Sequence, residues 1–375
     1  MQYRVFPKIN AKSSVLGFGC MRLPVQDTEN HPIDRPEAIS MLRYAIDNGL
    51  TYVDTAFGYH NEESEVVVGL ALQDGYREKV NLATKLPLWK VETYEDMEKL
   101  LDTQLGRLQT DHVDFYLLHA CNRNSFAKVK ELGAFKFLEE MKAKGKIKYA
   151  GFSFHDDADA FREIIDSYDW DFCQVQMNVL DEFNQATMEG VRYAASKNIG
   201  LIVMEPLRGG ALTVRMPAEI KEVYKKSAYE RTEAEWAFRW VYDKPEFIVI
   251  LSGMSTWDQV KENMAIFDKA EANCLKDDEK ETLTNIRKAY EARIRVGCTG
   301  CEYCVAGCPA EIKIPEIFRP YDNAAMFDTL PRFYENYRKN IGENKCLQCG
   351  ACEASCPQKI EIRKWLEVID NEAKA

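Results

Sequence analysis

The stretch TYVDTAFGYHNEESEVVVGLALQDGYREKVNLATK, residues 51–85, sets the pattern for most of the chain. TYVDT (51–55) and VNLAT (80–84) are short, continuous runs of β-branched and apolar residues, as expected of parallel strands covered by helices. The segment between them, 62–74, has the length of a helix, so the piece reads strand, helix, strand. The same alternation continues outward. Strand-like runs fall at SVLGFG (14–19), FYLLH (115–119), IKYAGFS (147–153), FCQVQM (172–177), GLIVME (200–205) and FIVILSG (247–253). Helix-length segments fall at 36–49, 93–108, 131–145, 156–168, 185–198, 230–243 and 256–268. In 93–108, Met97, Leu100, Leu101, Leu105 and Leu108 recur at helical spacing, with Thr93 as N-cap and Asp96 in the capping-box position.

Eight such units in about 260 residues is the count and size of a closed (β/α)8 TIM barrel, an α/β fold. An open doubly wound sheet is the competitor, but GCMRLP (19–24), which follows the first strand, lacks the GxGxxG phosphate loop. The first eight residues are expected to form a small hairpin that caps the barrel floor. Residues 206–229 should be a loop beside the seventh strand, and 276–293 a helix leading into the tail.

Composition narrows the function. Of 375 residues, 46% are hydrophobic, too many for a disordered chain. The formal charge is −11, from 49 basic and 60 acidic residues, which disfavours a nucleic-acid partner. The start MQYRVFPKIN lacks the features of a secretory signal, and no run is apolar enough for a membrane span. A cytoplasmic protein is expected. Neither charge nor pattern speaks to oligomeric state.

The cysteines divide the chain. Cys20, Cys121, Cys173 and Cys274 are scattered, whereas the other eight fall between 298 and 356. The first cluster is Cys298, Cys301, Cys304 and Cys308 followed by Pro309; the second is Cys346, Cys349, Cys352 and Cys356 followed by Pro357. Each is the C-x2-C-x2-C-x3-C-P run with which bacterial ferredoxins hold [4Fe–4S] cubanes. Three thiolates on one curling loop reach three corners of a cube, and the fourth reaches across to the other cube. Cys308 should therefore serve the second cluster and Cys356 the first. Structural zinc is the alternative, but it needs four ligands per ion and gains nothing from the third cysteine or the proline. AEIKIP (310–315) and QKIEI (358–362) follow the two runs as an internal repeat, each read as a short strand. The expected organisation is a barrel over 1–294 and a small α+β ferredoxin-like domain over 295–375 with two [4Fe–4S] clusters.

Four polar residues fall at or just beyond the C-terminal ends of barrel strands, where this fold keeps its chemistry. They are Asp54 and Tyr59 in VDTAFGY (53–59), Lys85 in ATK (83–85), and His119 in LLH (117–119). A carboxylate at the end of an apolar strand needs a partner, and an ammonium on the next strand is a natural one. Lys85 beside Tyr59 is expected to favour the phenolate and lower the tyrosine pKa. The set reads as a proton donor to a carbonyl oxygen, with His119 as a second donor. Phe57, Trp89 and Cys121 are candidates for the pocket wall.

On these residues, residues 1–270 resemble the aldo/keto reductases. The resemblance implies that Asp54, Tyr59, Lys85 and His119 form a catalytic tetrad with Tyr59 as general acid and base, and that NADP or NAD transfers hydride. It implies cofactor contacts from Ser153 in GFSFH (151–155), where Phe154 stands at a usual asparagine, and from Gln174. Met204 stands where an aromatic residue usually lies under the nicotinamide. Leu207, Arg208, Gly209 and Gly210 resemble the pyrophosphate-covering loop. Gly253, Ser255, Gln259, Glu262 and Asn263 resemble the adenosine segment, with Gly253 and Gln259 at positions that are often basic. With its tail, the chain is similar to the iron–sulfur branch of the family. Cubanes move single electrons and nicotinamides move pairs, which calls for an adaptor such as flavin, but no motif supports one. Three readings stay open: a carbonyl reductase accompanied by clusters, a ferredoxin- or flavin-linked redox enzyme with another substrate in the barrel mouth, and a non-catalytic electron-transfer protein. The expected partners are a small carbonyl or alcohol substrate and a one-electron donor or acceptor protein.

Overall fold

Residues 1–342 and 344–374 are described by the computed structural model. The chain starts with an antiparallel hairpin of β1 (Tyr3–Val5) and β2 (Lys12–Ser14). Eight strands follow: β3 (Leu16–Gly19), β4 (Tyr52–Asp54), β5 (Asn81–Leu86), β6 (Val113–Cys121), β7 (Ile147–Phe154), β8 (Phe172–Gln176), β9 (Gly200–Met204) and β10 (Phe247–Ser252). Each pairs in parallel with its neighbour, and β10 closes on β3 with Ile250 opposite Leu16 and Ser252 opposite Phe18. The continuous apolar runs of the sequence become these strands because both of their faces are buried.

The barrel interior is packed with side chains. Tyr52, Ala83, Phe115, Leu117, Phe172, Ile202 and Val249 share one buried cluster with Phe6. Phe6 comes from the turn between β1 and β2, where its backbone accepts from the Asn10 amide and donates to Ala11. Its ring lies 5.0 Å from that of Phe115, so the hairpin plugs the floor with an aromatic side chain. A Cβ on Gly200 would come within 2.2 Å of the Phe6 ring, which explains a glycine at the start of β9.

The helices depart from the expected segments in two places. The segment 131–145 contributes to two helices, Arg123–Glu131 and Ala134–Ala143, separated at Gly133 with φ 91°. The interruption 206–229 is not loop throughout, because Ala218–Lys225 is helical. Thr93 and Asp96 do form the expected start of Tyr94–Leu108, the Thr93 amide donating to the Asp96 carboxylate at 2.8 Å.

By packing, the chain divides into two units. One comprises 1–209 and 231–276; the other comprises 210–230 and 277–374. The second contains the helices Asp277–Glu291, Ile314–Met326, Leu330–Asn340, Ala351–Ser355 and Ile362–Lys374. AEIKIP and QKIEI are not strands: each leads into a helix, at Ile314 and Ile362. Their alternating isoleucines instead pack inward, with Ile314, Ile317, Phe318, Ile362, Leu366 and Ile369 in one core. Among the described residues this unit is helix and loop, without the β part of the expected α+β tail. No helix among the described residues is long and apolar enough to cross a membrane.

Because Phe6 is enclosed on all sides, Phe6→Ala should lower barrel stability by about 3–5 kcal/mol. A fall in the urea midpoint, followed by tryptophan fluorescence, checks this; an unchanged midpoint would show that the floor closes without the ring.

Candidate functional site

Asp54 ends β4 and Lys85 lies near the end of β5; the parallel register sets Asp54 opposite Ala83, so the two side chains meet at the C-terminal mouth. Lys85 Nζ lies 2.7 Å from Asp54 Oδ1, 2.8 Å from the Thr55 carbonyl and 3.3 Å from the Tyr59 hydroxyl. All three ammonium hydrogens are thereby directed. Lys85 and Asp54 are both buried. Burial alone would disfavour the ammonium, but the Asp54 carboxylate and the Tyr59 oxygen outweigh it and raise the Lys85 pKa. Burial raises the Asp54 pKa against the pull of Lys85. At 2.7 Å the pair is best described as ionised on both sides.

The Tyr59 pKa is raised, contrary to the sequence expectation. Loss of water around the hydroxyl is the largest cause; Lys85 pulls the pKa back in part, and Asp54 adds to the rise. The tyrosine is held there by an unusual turn: His60, Asn61 and Glu62 all have left-handed backbone, with φ of 50°, 53° and 73°. His60 Nε2 accepts from the Leu23 amide at 3.0 Å, and Glu62 is bound by Lys90 and Arg107. His60 is therefore part of the scaffold. His119 lies at the end of β6 with its ring 6.1 Å from that of Tyr59 and 5.2 Å from Trp89. Burial, with Lys85 and His155 adding to it, lowers its pKa to about 3, so the imidazole is neutral.

A second layer that sequence reading missed supports Lys85. Glu65 and Gln104 are buried on their helices; Glu65 accepts from Thr84 at 2.6 Å and from Gln104 at 2.7 Å, and Gln104 donates to the Lys85 carbonyl at 2.9 Å. Gln104 lies one residue before Leu105 on the apolar side of its helix, and that position was the available signal.

Around the mouth, Ser153 and Gln174 are register partners on β7 and β8. Ser153 Oγ accepts from the Ala120 amide at 2.8 Å. Gln174 Nε2 lies 3.5 Å from Met204 Sδ, and its Oε1 is buried without a partner among the described residues. Phe154 is buried against Phe161, at 5.0 Å, and faces the helix layer. Leu207 is half-buried, and Arg208 Nε lies 3.4 Å from Asp181. Gly210 belongs by packing to the second unit. Ser255 donates to the Arg22 carbonyl at 2.7 Å, and its amide donates to Gln259 at 2.8 Å. Asn263 is buried and donates to Ser252 at 2.9 Å, while Glu262 is half-buried. Cβ atoms at Gly209 and Gly253 would meet Arg22 at 3.2 Å each, so Arg22 lies between the two glycines. Its guanidinium makes no hydrogen bond or ion pair among the described residues. Arg22 was overlooked because nothing in GCMRLP marks it. Phe57 and Cys121 are buried in the core, Phe57 beneath Lys90 and Arg107, so neither lines the mouth.

In the second unit the eight tail cysteines gather around two small apolar cavities. Cys298, Cys301 and Cys304 line one together with Cys356, Ile314, Phe318 and Ile362. Cys346, Cys349 and Cys352 line the other together with Cys308, Ile312 and Leu366. The fourth cysteine of each run thus sits in the cavity of the other. Among the described residues no three His, Cys, Asp or Glu side chains are grouped to hold a single metal ion. Four thiols spaced around an apolar hollow fit a cluster that binds each at a different corner.

Comparison with known proteins follows the same division. The aldo/keto reductase family matches residues 15–287, and the 4Fe-4S dicluster domain matches residues 297–361. A probable aldo-keto reductase 1 from Glycine max is 36% identical over 148 residues, 37% of this chain and 41% of that protein, so the match spans less than half of that relative. An NADH-specific methylglyoxal reductase from Escherichia coli K12 is 27% identical over 297 residues, 67% of this chain and 89% of that protein. The holo form of an aldo-keto reductase from Bacillus halodurans superposes with a TM-score of 0.65 at 25% identity, covering 76% of this chain and 96% of that one.

Removing Lys85 leaves a buried carboxylate unpaired. Lys85→Met should destabilise the barrel by roughly 3–5 kcal/mol, and adding Asp54→Asn should restore part of the loss. Denaturant unfolding of both variants measures the coupling; equal stability of the single and double variants would show that the pair is not strongly coupled.

Proposed function

Because the chain belongs to the aldo/keto reductase family, we propose that this oxidoreductase reduces a small carbonyl compound with a nicotinamide dinucleotide, and oxidises the alcohol in reverse. The observation that carries the reading is the Tyr59 hydroxyl 3.3 Å from an ammonium held by Asp54. The unpartnered Gln174 Oε1 beside Ser153 supports the cofactor, since it suits an amide N–H such as that of a nicotinamide carboxamide.

When bound, the nicotinamide supplies or accepts the hydride. Tyr59 gives its proton to the substrate oxygen, and Lys85 stabilises the phenolate left behind. Asp54 keeps Lys85 charged and aimed. Neutral His119 donates to the same oxygen and orients it. Trp89, 54% exposed beside His119, forms part of the substrate wall. Met204 would underlie the nicotinamide, and Leu207 and Arg208, with Arg22, would hold the pyrophosphate. Ser255, Glu262 and Asn263 would hold the adenosine. Gly253 and Gln259 supply no positive charge there, which, with the NADH-specific relative, favours NADH over NADPH.

The tail cysteines would hold two [4Fe–4S] clusters, one in each cavity, with the functional boundary at 294/295. When bound, such clusters pass single electrons. Cys301 and Cys349 are exposed, beside Tyr303 and Leu347 at 65% and 67% exposure, which suits a one-electron protein partner docking there in the cytoplasm.

Tyr59→Phe should reduce carbonyl turnover by about 10²–10⁴-fold while dinucleotide binding persists. Turnover at the original rate would remove Tyr59 from the mechanism. The raised Tyr59 pKa and the neutral His119 together predict a reduction rate that is flat between about pH 5 and 8 and falls only where the phenol ionises. Alcohol oxidation, which needs the phenolate, should rise toward alkaline pH. An acidic limb near neutrality in the pH profile of kcat/KM would contradict a neutral His119.

A further inference from the structure

The two cysteine runs open equivalent segments. In CPAEIKIPEIFRPYD (308–322) and CPQKIEIRKWLEVID (356–370), Ile312 and Ile314 match Ile360 and Ile362, and an aspartate closes each at the same spacing from the fourth cysteine. Asp322 lies on Ile314–Met326 and Asp370 on Ile362–Lys374.

Both aspartates turn back to the chain just ahead of their own run. The buried Asp322 accepts from three consecutive backbone amides: Oδ1 from Arg295 at 3.0 Å and Val296 at 2.8 Å, and Oδ2 from Gly297 at 2.9 Å. Cys298 comes next. Asp370 Oδ1 accepts from the Asn344 amide at 3.3 Å and the Tyr337 hydroxyl at 2.6 Å, and Oδ2 accepts from the Asn344 side chain. Asn344 Oδ1 in turn accepts from the Cys346 amide at 3.1 Å. Val296 and Asn344 each stand two residues before the first cysteine of their run. The first anchor is direct and the second is relayed through an amide side chain.

Hydrogen bonds to a carboxylate are strong, and they remove backbone freedom that a cysteine loop would otherwise lose only when a cluster binds. We infer that Asp322 and Asp370 are equivalent positioning residues, each presetting the first three cysteines of its own run and thereby holding one cluster independently of the other. The inference rests on the two-cluster reading.

The test uses the full chain purified without oxygen, with iron and acid-labile sulfide assays and EPR of the reduced protein. Asp322→Ala should keep half of the iron and sulfide of the unaltered chain, and the signal of two interacting clusters should give way to that of one. Asp370→Ala should also keep half, but show the spectrum of the other cluster. Asn344→Ala leaves Asp370 and its Tyr337 bond in place, and should lose the same cluster as Asp370→Ala. A role confined to helix packing would lower the thermal midpoint without selecting a cluster. Full iron with unchanged spectra in Asp322→Ala and Asn344→Ala, or equal loss of both clusters from each variant, would overturn the inference. Absence of iron and sulfide from the unaltered chain would overturn the cluster reading itself.

Discussion

The mouth of the barrel is organised by a single buried ammonium. Lys85 has no water to satisfy it, so each of its hydrogens needs a protein oxygen. Asp54 and the Thr55 carbonyl take two of them, and the third faces Tyr59. The position of the phenol therefore follows from satisfying a charge. That arrangement depends on the parallel register of β4 and β5, which brings two strand ends together, and on Gln104, which fixes the Lys85 backbone from the helix layer. The same dryness that holds the ammonium also raises the phenol's pKa, so Tyr59 stays protonated at neutral pH.

The barrel was legible because its signal is redundant. Eight apolar runs at regular intervals admit few other closed solutions, and misplacing one helix boundary changes nothing. The grouping of Asp54, Lys85, Tyr59 and His119 at the mouth was legible for a related reason: polar side chains at the ends of apolar strands stand out. What stayed hidden depends on side-chain direction or on competition between effects. Phe6 looks like any apolar residue in a short hairpin until its ring is seen inside the barrel. Lys85 was expected to win over desolvation at Tyr59, and only the depth of the hydroxyl decides otherwise. Alternating isoleucines after each cysteine run imitate a strand, but the second of each pair, Ile314 or Ile362, begins a helix and joins its inner face. Asp322 and Asp370 sit among other acidic residues, and only their distance to the backbone near Cys298 and Cys346 separates them from solvated neighbours.

The tail shows how little apolar core is needed when the chain is tied at many points. Its helices bury a modest set of isoleucines and aromatics, and the links between them are polar. Arg295 joins Tyr321 and Glu372, while Arg363 binds Glu353 through both its backbone and its guanidinium. Such links set the spacing of the cysteine runs more tightly than hydrophobic contact alone would.

The exchange of the fourth cysteine between the two hollows has a consequence for biosynthesis. The hollow begun by Cys298, Cys301 and Cys304 has no fourth wall until Cys356 has left the ribosome. Three thiols must therefore wait, unsealed, while more than fifty further residues are added. Whatever fills that hollow must arrive after translation of this region, or be handed over to a chain that is still being completed.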